Sequence, residues 1–286
     1  RENNMQVKNI AVVGGGTMGI GIAYVSALSG AEVILVEPSD RQAKVVSDNI
    51  ASAAAGGVAR NKFSRADADA LIGRIRRLSD VDAIPEHLDL IIETVPEQLA
   101  LKQKVLAQID ARKPALIGTN TSACSIDTLA ESVSAPENFF GLHFFNPVWS
   151  IKLVEIIKGQ ATSAASLDQA REFVSQIDKQ SLTVSNIPGF ATSRLDLIAS
   201  LEAMRMLESG VASAEDIDRA AVLAYQHPVG PLRLSDIVGL DVRLDIARTL
   251  ELAHGPRFAP PDILIEMVAK GQLGEKSGQG FFAWQK

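Results

Sequence analysis

Two residues twelve positions apart, His143 and Glu155, could act together as a general base and the carboxylate that orients it. Residues 139–145 (FFGLHFF) and 151–157 (IKLVEII) both read as buried strands. If the second strand returns antiparallel to the first, this spacing can bring the imidazole and the carboxylate together. A buried carboxylate there would fix the ring tautomer and stabilise the imidazolium. The alternative is that His143 is a hydrogen-bonded core residue and Glu155 an edge-strand charge.

A glycine-rich turn near the N-terminus indicates phosphate binding. Residues 10–23 (IAVVGGGTMGIGIA) run from a short apolar strand into a small, apolar helix. Three of the glycines have the G-x-G-x-x-G spacing, which permits a tight turn, close approach of a pyrophosphate and close packing of the helix on the strand. The helix N-terminus then directs N–H groups and partial positive charge at the phosphates. The predicted cofactor-binding residues of this turn are Gly14, Gly16, Thr17, Met18 and Gly19.

An acidic residue in register with this turn predicts which dinucleotide binds. Residues 32–36 form a second strand-like run that ends at Glu37, 23 positions after Gly14. A carboxylate at this point can bind both hydroxyls of an adenine ribose and would repel a 2′-phosphate. The strand, the glycines and the acid therefore predict NAD as the cofactor. The alternative is that Glu37 is an ordinary solvated charge.

Composition and charge exclude several other classes of protein. The 286 residues are 47% hydrophobic and 22% charged, which is ordinary globular composition and long enough for about two domains. The net charge of −6 and the lack of long Lys/Arg runs argue against a nucleic acid or an anionic membrane as partner. Cys124 is the single cysteine, so we expect no internal disulfide, a reducing compartment and a cytoplasmic location. We expect no metal site.

Short strands alternate with helices in the first part of the chain, which is typical of parallel βαβ units. Residues 88–95 and 115–118 continue the sheet. Residues 119–122 follow as a polar tip, which is where open α/β sheets bind ligands. Residues 40–77 have a helical pattern, and Gly56 and Gly57 are predicted to divide them into a pair of helices that projects from the domain.

The pattern becomes purely helical after Pro188 and Gly189. Helices are predicted over residues 190–208, 213–224 and 234–252, and a last one follows Pro260 and Pro261. We therefore predict an α/β protein with a Rossmann-type, doubly wound, mostly parallel sheet domain over residues 5–186 and an all-α domain over 187–286. We expect residues 1–4, which precede Met5, to be a remnant of cloning.

Seven motifs follow one another along the chain: GGGTMG, TNTSACSI (119–126), GLHFFNP (141–147), KLVEII (152–157), PGF (188–190), HPVGP (227–231) and KSGQGFF (276–282). In this order they closely resemble the L-3-hydroxyacyl-CoA dehydrogenase family, over residues 7–284. This resemblance implies an NAD-dependent enzyme that interconverts (S)-3-hydroxyacyl-CoA and 3-oxoacyl-CoA. Because helical second domains often dimerise through an apolar face, we also expect a homodimer.

The resemblance implies a role for each matching residue. His143 is the implied base for the 3-hydroxyl proton while C3 gives hydride to the nicotinamide, and Glu155 is its orienting partner. Ser122 matches a serine that hydrogen-bonds the reacting oxygen. The implied cofactor contacts are Glu37, Glu97, Lys102, Ser122 and Asn146. Ser52 matches a serine that touches coenzyme A. Arg60 and Lys62 are basic partners for the coenzyme A phosphates.

One position departs from the family pattern. Many members have an Asn–Arg pair after PGF, and that Asn helps to hold the substrate carbonyl near the base. This chain has Ser193 followed by Arg194. A serine offers one hydroxyl in place of an amide with two donors and an acceptor, and a bridging water can replace the direct contact. Ser193 is therefore a further candidate catalytic residue, one that bears on substrate preference and turnover.

Two other functions remain open on the sequence. One is a dehydrogenase of a free hydroxy acid or sugar acid on the same fold, although the HFFNP motif argues against it. The other is a non-catalytic, structural or sensory NAD-binding protein, against which the intact Ser122, His143 and Glu155 argue.

Overall fold

The computed structural model describes residues 6–285, so the expectations for residues 1–4 and for a domain start at Met5 lie outside the described part. Over the described residues the chain forms eight β-strands and eleven α-helices. It divides into two compact units between Ile187 and Pro188. None of the helices within residues 6–285 combines the length and the apolar character needed to cross a membrane.

The first unit is built on one eight-stranded sheet with the order β3-β2-β1-β4-β5-β6-β7-β8. All neighbouring strands are parallel except β6 and β7, which are antiparallel. The chain order reverses between β1 and β4, which opens a crevice at the carboxyl ends of these strands. The predicted mostly parallel sheet is confirmed. The strands are β1 (Asn9–Val13), β2 (Glu32–Val36), β3 (Ile75–Leu78), β4 (Leu90–Glu93), β5 (Leu116–Thr119), β6 (Phe139–Phe144), β7 (Leu153–Lys158) and β8 (Gln180–Ser185).

Helices cover this sheet and complete its core. α1 is buried along its length from residue 19 to 27, because it packs on β1 and β2 and is itself covered by α2 and α3. A helix buried on all sides has no polar face, which explains its uniformly apolar sequence. The helices of this unit are α1 (Thr17–Leu28), α2 (Asp40–Ala59), α3 (Arg65–Gly73), α4 (Leu99–Asp110), α5 (Ile126–Ala130) and α6 (Ala164–Gln176).

The predicted helix break at Gly56 and Gly57 is wrong. α2 continues through both glycines, and the chain turns only after it, where Asn61 has a φ of 53°. A Cβ on Gly57 would lie 2.2 Å from the Phe63 ring. The glycine therefore lets the turn that follows α2 fold back closely onto the helix, and it does not end the helix.

The helical prediction is also wrong for residues 75–78, which form β3. This four-residue strand lies at the edge of the sheet and pairs only with β2. Its two arginines, Arg76 and Arg77, are exposed, and its apolar ends are half-buried. A short edge strand with charged side chains has neither the continuous apolar run of a buried strand nor a clear alternation, so its sequence pattern is weak.

The second unit is helical, as predicted, and has its own apolar core. The helix predicted over residues 234–252 is two helices, because Gly239 turns the chain with a φ of +103°. Buried Asp236 accepts hydrogen bonds from the backbone of Phe281 and Phe282 and from Trp284 Nε1, which fixes the last segment onto the helices. The helices are α7 (Thr192–Glu208), α8 (Ala214–Tyr225), α9 (Pro231–Val238), α10 (Leu240–His254) and α11 (Asp262–Ala269).

Candidate active site

A cleft of about 940 Å³ opens in the first unit where β1, β4, β5 and β6 end. The turn between β1 and α1 forms one wall, and the segments after β2 and β4 continue the lining. Ser122 and His143 lie on the same cleft. The crevice expected at the reversal of strand order therefore contains both the glycine turn and the polar groups predicted to do chemistry.

The glycine turn shows why three of its positions lack a side chain. Gly14 has a φ of +117°, and its N–H donates to the carbonyl of Val36 at 2.9 Å. A Cβ on Gly19 would lie 1.8 Å from the carbonyl oxygen of Gly14, so this glycine allows α1 to approach the turn. Gly16 lines the cleft, and nothing lies within 4 Å of the position its Cβ would occupy. That open side is where a pyrophosphate can approach the backbone.

The N-terminus of α1 has the properties of an anion site. Thr17 and Met18 begin the helix and line the cleft. The helix has no side-chain cap and no acidic residue in its first turn. Its first N–H groups and the positive end of its dipole can therefore bind phosphate oxygens.

Glu37 is held in place at the cleft by backbone groups. Its carboxylate accepts hydrogen bonds from the N–H of Gly15 at 3.1 Å and of Ser39 at 2.8 Å. The side chain lines the cleft although the residue is only 9% exposed. Each carboxylate oxygen has a second lone pair, so the group can also accept bonds from ribose hydroxyls. Arg77 donates two hydrogen bonds to the backbone carbonyl of Glu37.

Replacing Glu37 with serine should lower the preference for NAD over NADP, measured as the ratio of kcat/KM values, by at least about 10-fold. The variant loses the carboxylate that would repel a 2′-phosphate, while Arg77 keeps its bonds to the backbone of residue 37. Glu32→Ser is the matched control, because Glu32 is exposed at the opposite end of the same strand. An unchanged ratio in Glu37→Ser would show that this carboxylate does not select the cofactor.

His143 and Glu155 meet across the antiparallel pair of β6 and β7. They are direct partners in the strand register, and His143 Nδ1 lies 2.7 Å from Glu155 Oε2. Glu155 is fully buried and His143 is 8% exposed. An ionised carboxylate can only accept a hydrogen bond, so Nδ1 carries the proton and Nε2 is the basic nitrogen of the ring. This is the geometry of a general base with an orienting carboxylate.

The turn that carries Ser122 is organised around the carboxylate of Glu97. One oxygen of Glu97 accepts bonds from the backbone N–H groups of Ser122 (3.1 Å), Ala123 (2.9 Å) and Cys124 (3.2 Å). The hydroxyl of Thr121 donates to the same oxygen. Glu97 itself lines the cleft. The acid therefore determines where the Ser122 turn lies relative to the cleft.

Lys102 supports Glu97 from behind and does not line the cleft. Its side chain is fully buried, and its ammonium lies 3.3 Å from Glu97 and 3.0 Å from the buried carboxylate of Glu93. Burial works against the ionisation of Glu97, but the Thr121 hydroxyl, the Lys102 charge and the backbone donors hold its pKa below the ordinary value. The cofactor contact that the resemblance implies for Lys102 stays a prediction. In this structure the ammonium contacts Glu93, Glu97 and the carbonyl oxygen of Val95.

The remaining predicted residues lie in different places. Asn146 is exposed in the loop after β6 and does not line the cleft. Ser52 and Arg60 line a second cavity of about 380 Å³, next to Thr17 and Trp149, and Lys62 does not line it. Ser193 belongs to the second unit, where it is the second residue of α7 and is half-buried.

Asn120 lines the cleft but was not assigned from the sequence. Its side-chain oxygen accepts a hydrogen bond from the backbone N–H of Phe144 at 2.9 Å, which joins the end of β5 to the end of β6. The available signal was its position in the polar tip before Ser122. That position alone does not distinguish Asn120 from its neighbours in the tip. Its hydrogen bond to Phe144 depends on how β5 and β6 pair, which the local sequence does not show.

Comparison with known proteins places this geometry in a family. The model of the 3-hydroxyacyl-CoA dehydrogenase NAD binding domain matches residues 9–187, and that of the C-terminal domain of the same family matches residues 189–284. The 3-hydroxybutyryl-CoA dehydrogenase of Mycobacterium tuberculosis is 36% identical over 283 residues, which cover 97% of this chain and 99% of that protein. The 3-hydroxyadipyl-CoA dehydrogenase of Escherichia coli is 36% identical over 98% of this chain and 60% of its own length.

A solved structure extends the similarity to the backbone. The (S)-3-hydroxybutyryl-CoA dehydrogenase of Ralstonia eutropha superposes with a TM-score of 0.94 at 36% sequence identity, covering 98% of this chain and 100% of that one. The two family-model matches run through both units of the chain. The chain therefore belongs to the 3-hydroxyacyl-CoA dehydrogenase family.

Proposed function

We propose that this protein catalyses the reversible NAD-dependent oxidation of (S)-3-hydroxyacyl-CoA to 3-oxoacyl-CoA. The observation that carries the proposal is that the glycine turn and His143, which is hydrogen-bonded to the buried Glu155, line one cleft. The glycine turn would hold the phosphates of a dinucleotide and Glu37 the hydroxyls of its adenine ribose, and His143 lines the same cleft. The polar groups of the cleft fit a dinucleotide. The N–H groups at the start of α1 can bind phosphates, and the Glu37 carboxylate can accept hydrogen bonds from ribose hydroxyls.

The mechanism assigns each polar group a separate task. NAD, when bound, supplies the hydride acceptor. His143 Nε2 takes the proton of the 3-hydroxyl group, and Glu155 stabilises the imidazolium that results. Ser122 donates a hydrogen bond to the reacting oxygen, and Ser193 helps to hold the substrate carbonyl. In the reverse direction His143 returns the proton to the oxygen at C3.

The coenzyme A part of the substrate is assigned to the second cavity. Ser52 and the guanidinium of Arg60 line it, which supplies a hydroxyl and a positive charge for phosphate groups. Lys62 lies in the turn that follows α2 and is a further basic partner. Glu97 and Asn146 are assigned to the nicotinamide side of the cofactor on the family resemblance.

We further propose that the protein is a homodimer that acts in the cytoplasm in β-oxidation. Large apolar side chains of the helical unit are exposed, among them Leu195, Leu223, Tyr225 and Leu252, at 71%, 71%, 77% and 91% respectively. Exposed apolar surface of this kind is typical of a subunit contact.

The cytoplasmic location rests on a separate observation, and the oligomeric state has its own test. The single, half-buried Cys124 agrees with a reducing compartment. Sedimentation equilibrium tests the dimer: a monomer mass across the accessible concentrations would contradict it.

The first test of the activity is NADH oxidation with acetoacetyl-CoA, beside free acetoacetate at the same concentration. We expect turnover with the thioester and none with the free acid, because the second cavity is assigned to coenzyme A. Turnover with the free acid would favour a hydroxy-acid dehydrogenase. NADH binding without turnover on 3-oxoacyl-CoA thioesters of any length, including one with a terminal carboxylate, would favour a non-catalytic protein.

A further inference from the structure

Glu93 is a fully buried carboxylate at the last position of β4, one strand away from the Ser122 turn. Its oxygens accept two contacts from the Lys102 ammonium, at 3.0 and 3.1 Å. They also accept a bond from the backbone N–H of Val95 at 2.6 Å and one from the Thr119 hydroxyl at 2.6 Å. The carboxylate therefore connects the ends of β4 and β5 to α4.

Lys102 extends this connection from Glu93 to the cleft. Its ammonium is shared between Glu93, the carbonyl oxygen of Val95 at 3.1 Å and Glu97 at 3.3 Å. The charge thus lies between two carboxylates, one fully buried and one on the cleft. Glu97 in turn holds the backbone of the Ser122 turn. Glu93, Lys102 and Glu97 form a continuous chain of contacts, which we call the acid–lysine–acid relay.

A contribution to stability alone is a poor explanation for this relay. Removing two charges from water offsets most of what their attraction contributes, so apolar residues of the same size would often stabilise such a site equally well. What apolar residues could not do is hold the Glu97 carboxylate at a fixed point. The geometry of that carboxylate matters, because it accepts three successive backbone N–H bonds from the Ser122 turn.

We propose that Glu93 is a positioning residue for the reaction, acting through Lys102 and Glu97 to hold Ser122 at the reacting oxygen. The inference rests on the role of Ser122 proposed above. In the relay, Glu93 holds the Lys102 ammonium in place. The ammonium then holds Glu97 ionised and anchored, and Glu97 fixes the turn.

Replacing Glu93 with glutamine tests this role, because it removes the charge and keeps the shape. A misplaced Ser122 should lower kcat at saturating NADH by about 10-fold. Because Glu97 is also assigned to the cofactor, kcat is measured at an NADH concentration well above the Kd of the variant. Titration of NADH fluorescence measures the Kd. A role in cofactor binding would instead raise the Kd and leave kcat at saturating cofactor intact.

The turnover of each NADH-binding site gives a readout that a purely structural role would not change. A partly unfolded variant loses binding sites, while the sites that remain keep their turnover. Loss of the positioning of Ser122 instead lowers kcat per NADH-binding site, counted by the same fluorescence titration.

A double variant keeps the test valid if Glu93→Gln fails to fold. Glu93→Gln/Lys102→Met has no buried charge left to compensate, so it should fold and have a reduced kcat at saturating NADH because Glu97 is unanchored. Lys104→Met is the matched control, because Lys104 is exposed on the same helix. It should have the wild-type kcat.

Two outcomes overturn the inference. One is a wild-type kcat at saturating NADH in Glu93→Gln, and the other is a wild-type kcat in the double variant. Ser122→Ala tests the underlying assignment separately. A wild-type kcat in Ser122→Ala would remove the role of Ser122 in the proposed function. An impaired Ser122→Ala beside an unaffected Glu93→Gln would overturn only the role of Glu93.

Discussion

Replacing His143 with alanine should lower kcat by about 10²- to 10⁴-fold, the range that general acid–base catalysis contributes. The change removes the group proposed to take the hydroxyl proton and leaves the glycine turn and Glu37 intact. The Kd for NADH should therefore stay within about twofold of wild type. Steady-state kinetics with acetoacetyl-CoA and a fluorescence titration of NADH measure the two quantities. Loss confined to kcat separates chemistry from cofactor binding.

Two controls make this result specific to the base. His143→Gln keeps an amide that can donate to Glu155, so it should fold like the wild type and still lack turnover. His87→Ala removes an exposed histidine, with a side chain that is 72% accessible, and should have the wild-type kcat. If His143→Gln retained near-normal turnover, another group would have to be the base.

Gly16→Ala should lose affinity for NADH and Gly19→Ala should lose stability, although both add one methyl group to the same turn. A Cβ added to Gly16 has nothing within 4 Å in the protein and points into space a pyrophosphate would use. Gly16→Ala should therefore unfold at the wild-type Tm and bind NADH at least about 10-fold more weakly. A Cβ added to Gly19 would lie 1.8 Å from a backbone oxygen, so Gly19→Ala should be destabilised by about 3 kcal/mol or more.

Thermal unfolding without cofactor and the NADH Kd of each variant check this pair. The comparison is informative because helix propensity acts at Gly19, inside α1, and not at Gly16, its N-cap. Inside a helix it favours alanine over glycine, so it does not explain a loss of stability in Gly19→Ala. A Gly16→Ala protein with wild-type affinity would show that the phosphates do not pass over this position. A Gly19→Ala protein with wild-type Tm would show that α1 can move away from the turn without loss.

The sequence was sufficient where local spacing determines geometry. The glycine spacing depends on the backbone of one turn, so Gly14, Gly16 and Gly19 could be interpreted directly. The His143–Glu155 spacing predicted their contact, because two apolar runs with a short connection favour an antiparallel return. Both interpretations need only the chain within about 25 residues of each motif.

The sequence was insufficient where a residue's partner comes from elsewhere in the fold. Lys102 has the pattern of a solvated helix charge, and only the packing of α4 on β4 shows that its ammonium is buried between Glu93 and Glu97. From the sequence, Gly57 predicted a helix break. The structure explains this glycine by its close contact with the Phe63 ring, and such a contact depends on tertiary packing. Gly239 carries no local signal that distinguishes a helix interior from a turn between helices.

The antiparallel pair of β6 and β7 has a consequence for which part of the chain can vary. β7 is hydrogen-bonded on both sides, to β6 and to β8, so the register that joins His143 to Glu155 does not depend on the loop between them. That loop, residues 145–152, carries Trp149 at the second cavity. Insertions or exchanges in the loop can reshape this cavity while His143 and Glu155 stay in register. The fold thus separates a pair whose geometry must remain constant from a segment that is able to evolve.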